Sequence, residues 1–287
     1  MNRNIILILA GLFLSLNLHA GGPWPSPKNG GFFKLSQWWV VADKHFTDTG
    51  LLDPNITSAI YNTSLYAEFG FTDRLTGVLY FPFYSRALFN NTISGTTGEL
   101  LEPGEAINSI GDTDLGIKYG IIVNKPVVLS VGLTLGLPLG IDNGGSNGTL
   151  QTGDGEFNQL IQVDAGTSFS LGKVNLYSAA YAGFNNRTNG FSDEFRFGLE
   201  GGATFAKTGL TAILRLYGIR SLKNGTASEM PNSTSIFANN SEHLTFSPEL
   251  AYQFNDKWGV SASMGKAISG RIIFANPAYS FGVFLKL

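Results

Sequence analysis

The sequence predicts an all-β fold, a transmembrane antiparallel up-and-down β-barrel of about 12 strands. Three observations predict it: few charged residues, apolar side chains that recur at every second position, and short connections that alternate with long ones. An unpaired backbone N–H or C=O group is costly inside lipid, because no water is present there to hydrogen-bond with it. A chain that faces lipid without apolar helices must therefore close its strands into a barrel.

The composition indicates a surface that partly faces lipid. Only 14% of the 287 residues are charged, against roughly 25% in soluble domains, while 13% are aromatic and 36 are glycine. Beyond the N-terminal segment, no stretch reaches the roughly 18 uninterrupted apolar residues of a membrane-spanning helix. The net charge is −2 with no basic stripe, which argues against nucleic acid as a partner. The absence of cysteine excludes a disulfide framework.

The N-terminus has the pattern of an export signal. Arg3 precedes a short apolar run from Ile5 to Leu16, and a cleavage site follows Ala20. We therefore expect a signal peptide over residues 1–20, with an uncleaved anchor as the alternative. The Gly/Pro-rich residues 21–30 (GGPWPSPKNG) should form an extended periplasmic lead-in, and residues 31–287 the barrel. Export of a barrel predicts location in the bacterial outer membrane.

Period-2 alternation recurs along the chain, as expected where successive side chains of a strand point to opposite faces. In residues 113–121, for example, Leu115 and Ile117 lie on one face and Gly116 and Lys118 on the other. The same pattern defines candidate strands at 32–41, 58–71, 127–137, 161–171, 195–205 and 279–287.

Two alternative folds fit the sequence less well than the barrel does. A helix fails, because the apolar positions would scatter around its surface and each interior glycine would cost about 1 kcal/mol. A soluble β-sandwich also alternates, but segments of about ten residues suit a tilted strand that crosses a bilayer. Aromatic residues near strand ends further suggest interfacial girdles. They are Trp38, Trp39, Phe71, Tyr119, Phe254 and Trp258.

The connections give the strand number. Short turns are expected at 72–74, 124–126, 172–173, 207–209 and 255–257. Longer polar stretches lie near 46–57, 86–110, 142–158, 185–193, 222–242 and 269–275. Short periplasmic turns and longer external loops alternate in this way in outer-membrane barrels, so these connections join about 12 strands with both mature termini on the periplasmic side.

Charged residues on the polar face are candidates to line the lumen. They are Glu68, Asp114, Lys118, Asp164, Arg196, Glu200, Arg215, Glu249 and Lys286. Unpaired charges inside a narrow barrel are costly, so one interpretation is a structural network of ion pairs that fills the lumen. The other is a solute path lined by charge. Both signs are present, so no strong ion preference is predicted, and a barrel of about 12 strands favours a narrow channel.

Few residues suggest a catalytic or metal-binding site. His45 and His243 are expected near the outer rim, and the neighbours of His243 (Asn240, Ser241 and Glu242) raise the alternative of a rim-sited hydrolase. The glycine-rich stretch 144–155 lacks the spaced oxygen ligands of an EF-hand, so a flexible external loop is the better interpretation. No catalytic, cofactor or metal site is therefore predicted.

The middle of the chain resembles a known family. Residues 109–119 (SIGDTDLGIKY), 132–140 (GLTLGLPLG) and 151–155 (QTGDG) are similar to motifs of the phenol meta-cleavage-pathway (MetA-pathway) family of outer-membrane transporter-like proteins. The match covers about 109–220. The resemblance implies uptake of small, often hydrophobic or aromatic molecules, with no established functional residues to transfer. The motif residues that carry it are Gly111, Asp112, Asp114, Gly116 and Lys118.

Three functions remain open at this point. The first is a channel for passive uptake of small solutes, with hydrophobic or aromatic ones as candidates, whose partners would be outer-membrane lipid and the solute. The second is a plugged structural barrel that acts through its external loops, and the third is the rim-sited hydrolase. The first two require no enzyme activity and no cofactor. The sequence does not predict an oligomeric state.

Overall fold

The structure, a computed structural model, describes residues 22–205, 207–228 and 236–287. The regular elements in these ranges are β1 (Gly31–Phe46), β2 (Leu52–Gly70), β3 (Leu75–Phe89), β4 (Thr92–Ile93), β5 (Leu100–Glu102), β6 (Glu105–Ser109), β7 (Thr113–Ile122), β8 (Val127–Leu137), β9 (Asn158–Leu171), β10 (Val174–Arg187), β11 (Glu194–Phe205), β12 (Leu210–Ser221), β13 (Glu242–Gln253), β14 (Trp258–Arg271), β15 (Ile273–Phe274) and β16 (Ala278–Lys286). No helix in the described part of the chain is long and apolar enough to span a membrane. The predicted signal peptide at 1–20 lies outside the described residues.

The main sheet is antiparallel and closes on itself. It contains 14 strands, of which β6 and β15 are short additions at the rim, so 12 strands form the wall. Each wall strand pairs with its neighbours in sequence, and β1 closes the cylinder by pairing with β16 from Phe32↔Lys286 to Val40↔Ala278. The predicted antiparallel barrel is therefore confirmed. The small strands β4 and β5 pair with each other in the connection between β3 and β6.

The connections differ at the two ends of the barrel. One end, which we call the short-turn end, carries the turns after β2, β7, β9, β11 and β13 together with the start of β1 and the end of β16. Two of these turns have glycine at positive φ, Gly172 at 61° and Gly209 at 69°, which glycine adopts without strain. The opposite end, which we call the loop end, carries the longer connections.

Two predicted loops are shorter than expected. The predicted loop at 46–57 shrinks to 47–51, because β1 and β2 continue to pair as far as Phe46↔Leu52. The predicted loop at 86–110 contains β6, which pairs with the end of β3 above the wall. Polar residues in these stretches suggested loops, but strands that rise beyond a membrane can carry polar side chains on both faces. Part of the predicted loop at 222–242, residues 229–235, lies outside the described ranges.

The two faces of the wall differ in character. Large apolar side chains point outward and are exposed, as expected of a surface for lipid. They include Leu35, Leu115, Ile117, Ile161, Phe169, Leu199, Leu214, Leu250 and Phe281. Trp38 was expected in an outer aromatic girdle, and this expectation is wrong. It shares the inner face with Lys34 and Ser36 at alternate positions of β1 and lines the barrel interior, whereas Trp39 packs against Tyr279 with ring centroids 5.9 Å apart.

Glycines of β11 make room for tyrosine rings of β10 on the inner face. A Cβ at Gly202 would lie 2.1 Å from the ring of Tyr177, and one at Gly198 would lie 2.4 Å from the ring of Tyr181. Glycine in a strand interior weakens the strand but permits such close approach. The rings therefore lie flat against the neighbouring strand instead of crossing the lumen.

Candidate functional site

The lumen is the candidate site, since the polar faces of all 12 wall strands meet there. The strand register and the cross-strand contacts place all nine predicted charged residues on this inner face. Six of them form ion pairs: Glu68, Lys118, Arg196, Glu200, Arg215 and Glu249. Lys286 instead donates a hydrogen bond to an amide oxygen, and Asp114 and Asp164 form no ion pair among the described residues. The structure therefore brings most of the predicted charges into pairs.

One chain of polar contacts runs along half of the wall. The hydroxyl of Tyr177 donates to Glu200 at 2.6 Å, and Arg215 pairs with both Glu200 and Glu249. Lys34 on β1 then donates to Glu249 on β13 at 3.2 Å. This contact passes over β14 and β16, and Gly282 of β16 leaves space for the lysine, whose Cε lies 2.8 Å from where a Cβ would be. We call these five residues the Tyr177–Lys34 chain.

A second cluster faces this chain. Lys118 lies 3.5 Å from the carboxylate of Glu68, which also accepts a hydrogen bond from the hydroxyl of Tyr66. Glu68 is only 1% exposed, so its charge depends on these two partners. Asp164 accepts a hydrogen bond from Gln162 at 2.8 Å.

The remaining predicted charges have other surroundings. Arg196 pairs with Glu194 of its own strand at 2.8 Å. Asp114 forms no ion pair within 4.0 Å among the described residues. Lys286 donates to the amide oxygen of Gln253 at 2.8 Å and lies over the ring of Phe284, 5.2 Å from its centroid.

The described residues line two adjoining cavities in the lumen. The one nearer the loop end has a volume of about 430 Å³ and is lined by Trp38, Tyr217 and His243, among others. The one nearer the short-turn end, which we call the inner cavity, has a volume of about 260 Å³. Ser36 and Tyr80 line both cavities, so the two spaces adjoin at the level of these residues.

Residues 22–30 lie against the inner face near the short-turn end. Pro23 is almost fully buried, and the ring of Trp24 meets that of Tyr177 edge to face at 5.9 Å. A Cβ at Gly166 of β9 would lie 2.7 Å from Pro23, and one at Gly120 of β7 would lie 2.7 Å from Pro25. We call residues 22–30 the N-terminal strap. It occupies the half of the lumen bounded by β2 to β10, and the inner cavity occupies the other half.

A buried cluster of charges joins the loop after β8 to the wall at the loop end. The guanidinium of Arg187, whose side chain is 4% exposed, contacts three carboxylates. It donates to Glu156 at 2.6 Å, to Glu194 at 2.8 Å and to Asp154 at 3.0 Å. The same loop is held by Asp112, which accepts the backbone N–H groups of Gly140 at 2.9 Å and Asp154 at 2.8 Å.

Burial, and after it an excess of carboxylates over cations, raises pKa values in the loop. Burial, and then the charge of Asp112, raise the pKa of Asp154 to about 7. Burial also raises the pKa of Asp112 and that of Glu156. One arginine shared among three carboxylates offsets only part of the free-energy cost of burying them in the charged form.

We expect the loop over residues 138–157 to be held less firmly as pH rises. A carboxyl whose pKa is raised in the folded state contributes stability that is full below its unfolded value, near 4, and is lost as pH rises through the folded value. For Asp154 this loss begins near pH 4 and is nearly complete somewhat above pH 7, since its pKa is raised from 3.8 to about 7. Hydrogen exchange of the loop, corrected for intrinsic rates, should be faster at pH 8 than at pH 6, and Asp154→Asn should reduce this difference. An equal difference in the variant would contradict the assignment.

His243 does not form the hydrolytic arrangement with Ser241 and Glu242 that was raised as an alternative. The Nδ1 of His243 is hydrogen-bonded to Thr245 at 2.9 Å, and its ring meets that of Tyr217 edge to face. Glu242 pairs with Arg220 at 2.8 Å instead of orienting the imidazole. His45 lies at the end of β1, paired with Phe274. Within the described ranges, no group of three or more His, Asp or Glu side chains is placed to hold a metal ion.

Several residues of the lumen were missed by the sequence analysis. Lys34 lies in a run dominated by Phe, Trp and Val, where alternation is weak, although its parity with Ser36 was a usable signal. Arg187 and Glu194 lie at strand ends next to a predicted loop. The strap has no periodicity that predicts its path.

The comparisons with known proteins show the fold. No protein-family model matches the chain, and no curated protein matches it. Among solved structures, it is similar to an outer-membrane channel from Pseudomonas putida F1 (TM-score 0.61, 14% identity, 94% of this chain and 100% of that chain). It is also similar to the NanC porin (0.50, 9%, 89% and 100%) and to the β domain of the Bordetella autotransporter BrkA (0.50, 13%, 91% and 100%). These barrels share the fold, and the resemblance to the phenol-pathway family rests on the motifs alone.

Proposed function

We propose that this chain is an outer-membrane channel for passive uptake of small solutes, with hydrophobic or aromatic ones as candidates, through a narrow polar lumen. The observation that carries the proposal is the pair of adjoining lumen cavities, of about 430 and 260 Å³. Narrow openings lined by polar side chains select solutes by size and charge. The exposed apolar outer surface supports location in lipid, and the channel structure from Pseudomonas putida F1 has the same fold.

A second candidate is a plugged barrel that acts through its external loops. The strap and the Tyr177–Lys34 chain favour it, because both occupy space in the lumen. The channel is preferred, since cavities remain on either side of Ser36 and Tyr80. An enzymatic role is not proposed, because His243 is bonded to Thr245 and Glu242 to Arg220.

Conductance of the purified, folded protein in planar bilayers tests the proposal. We expect discrete single-channel steps smaller than those of wide porins, and swelling of loaded liposomes with small neutral and phenolic solutes but not with trisaccharides. Folded protein is identified by its heat-modifiable mobility on gels. Folded protein that neither conducts nor permits swelling would support the plugged barrel instead.

A matched pair of substitutions tests whether current passes through the lumen. Ser36→Trp places a large ring where the two cavities adjoin, so we expect it to reduce conductance. Leu35→Trp places the same ring on the outer face, where Leu35 is 52% exposed, and should leave conductance unchanged. Equal conductance in both variants would show that the current does not cross this level of the lumen.

A further inference from the structure

The inner cavity combines an aromatic wall with a cation that has no carboxylate partner. Phe32 and Phe284 stack with centroids 5.5 Å apart and planes at 28°, and Tyr66 meets Phe32 at 6.3 Å and 62°. Phe284 is 4% exposed and takes an inward position on β16 where small or polar residues are usual. Large apolar rings are unusual on the polar inner face of a barrel, so their presence here needs an explanation.

The backbone is shaped to hold the ring of Phe284. A Cβ at Gly259 of β14 would lie 2.2 Å from Cζ of that ring, so any larger residue there would displace it. The ring therefore packs against β14 and is only 4% exposed, so the less buried rings of Phe32 and Tyr66 complete the apolar surface that lines the cavity. Stacking of a further ring on such a surface is favourable, since offset aromatic pairs contribute about 0.5–1.5 kcal/mol beyond burial.

The cation at this wall is Lys286. On the inner face of the wall, Lys34, Lys118, Arg196 and Arg215 each pair with a carboxylate. Within the described part of the chain, Lys286 has no carboxylate within 4.0 Å, and its ammonium group donates to the amide oxygen of Gln253 at 2.8 Å. An ammonium carries three donors, so Lys286 retains the capacity to bind an anion.

The charges around the cavity also favour an anion. Lys34, Arg215 and Lys286 line it together with one carboxylate, that of Glu249. Its volume of about 260 Å³ exceeds the roughly 150 Å³ in which a protein cavity holds benzene. One substituted six-membered ring therefore fits, with room for a carboxylate beside it.

We propose that the inner cavity is a binding site for aromatic monocarboxylates, with the ring against Phe32 and Phe284 and the carboxylate at Nζ of Lys286. This inference rests on the proposed channel function, because it names the solute class that pauses in the lumen. A neutral aromatic solute gains the ring contact alone, and a small aliphatic acid gains the charge contact alone. Affinity should therefore require both groups on one molecule.

Calorimetric titration of the full-length protein in detergent with sodium benzoate tests the site without any need for conduction. We expect saturable binding of benzoate, with benzyl alcohol and acetate each about tenfold weaker or more. Lys286→Gln should weaken benzoate binding about tenfold, because it removes the charge-assisted hydrogen bond. Phe284→Leu should weaken it as well, and Lys266→Gln, a change at an exposed lysine of β14, should have no effect.

The outcomes separate this inference from the channel proposal. Folded wild-type protein that shows no saturable benzoate binding, or that binds benzyl alcohol as tightly as benzoate, overturns the inference. So does unchanged affinity in Lys286→Gln or, if that variant fails to fold, in Phe284→Leu. Binding with this specificity in a protein that does not conduct retains the site and overturns the channel. Conduction without saturable benzoate binding overturns the site and retains the channel.

Discussion

Deletion of residues 22–29 is expected to increase single-channel conductance about twofold, since the N-terminal strap occupies about half of the lumen near the short-turn end. The strap is anchored by apolar contacts and by a few hydrogen bonds, such as that from the backbone N–H of Ser26 to Thr76 at 2.8 Å. The wall strands pair with each other without the strap. The barrel should therefore still close, and heat-modifiable mobility on gels checks that it does. Conductance equal to that of the full-length protein would contradict this placement of the strap.

A single substitution in the full-length chain tests the contact between the N-terminal strap and β9. Gly166→Ala adds a Cβ that would lie 2.7 Å from Pro23, 2.8 Å from Trp24 and 2.9 Å from the backbone oxygen of Ser178 on β10, so the strap must move and the adjacent wall must adjust. We expect higher conductance with more frequent transitions between current levels. Gly132→Ala is the matched control, because its Cβ would meet only a backbone oxygen at 3.5 Å.

Arg187→Met is expected to lower the free energy of unfolding by about 3–5 kcal/mol, the usual effect of removing one partner from a buried ion pair. The substitution leaves the carboxylates of Asp154, Glu156 and Glu194 without the cation that contacts all three. Because protonation relieves part of this cost, the loss should be larger at pH 8 than at pH 5. Urea unfolding in lipid vesicles, followed by tryptophan fluorescence, measures the change.

A second ion pair at the loop end provides the control. Arg220 contacts Glu242 at 2.8 Å, but its side chain is 69% exposed. Exposed pairs contribute about 0–1 kcal/mol, so Arg220→Met should have a much smaller effect with little dependence on pH. Similar losses of unfolding free energy in both variants would show that burial does not determine how much the Arg187 cluster contributes to stability.

The sequence was sufficient to predict the wall of the barrel. Period-2 alternation assigns Glu200 and Arg215 to the inner face on separate strands, and the register places them opposite each other. Partner choice could not be predicted, because it depends on the relative height of each strand. Lys34 of β1, for example, pairs with Glu249 of β13 across two intervening strands.

Some features of the barrel interior could not be predicted from the sequence. Alternation along β16 does place Phe284 on the same face as Gly282 and Lys286, but the space that Gly259 on the next strand leaves for its ring is a fact of register that neither segment reveals alone. The path of the strap depends on gaps above Gly120 and Gly166, which exist only once the wall has closed. Trp38 was misassigned because consecutive tryptophans leave the parity of β1 ambiguous in the sequence.

The contact between Lys34 and Glu249 joins residues 215 positions apart in the chain. The first strand must therefore meet the last before this ion pair can form, and until then Glu249 and Arg215 belong to an open sheet whose edges are unpaired. We therefore expect the contact to form late in assembly and to report completion of the cylinder. A spectroscopic probe pair at these two positions should distinguish a closed molecule from an inserted but unsealed intermediate.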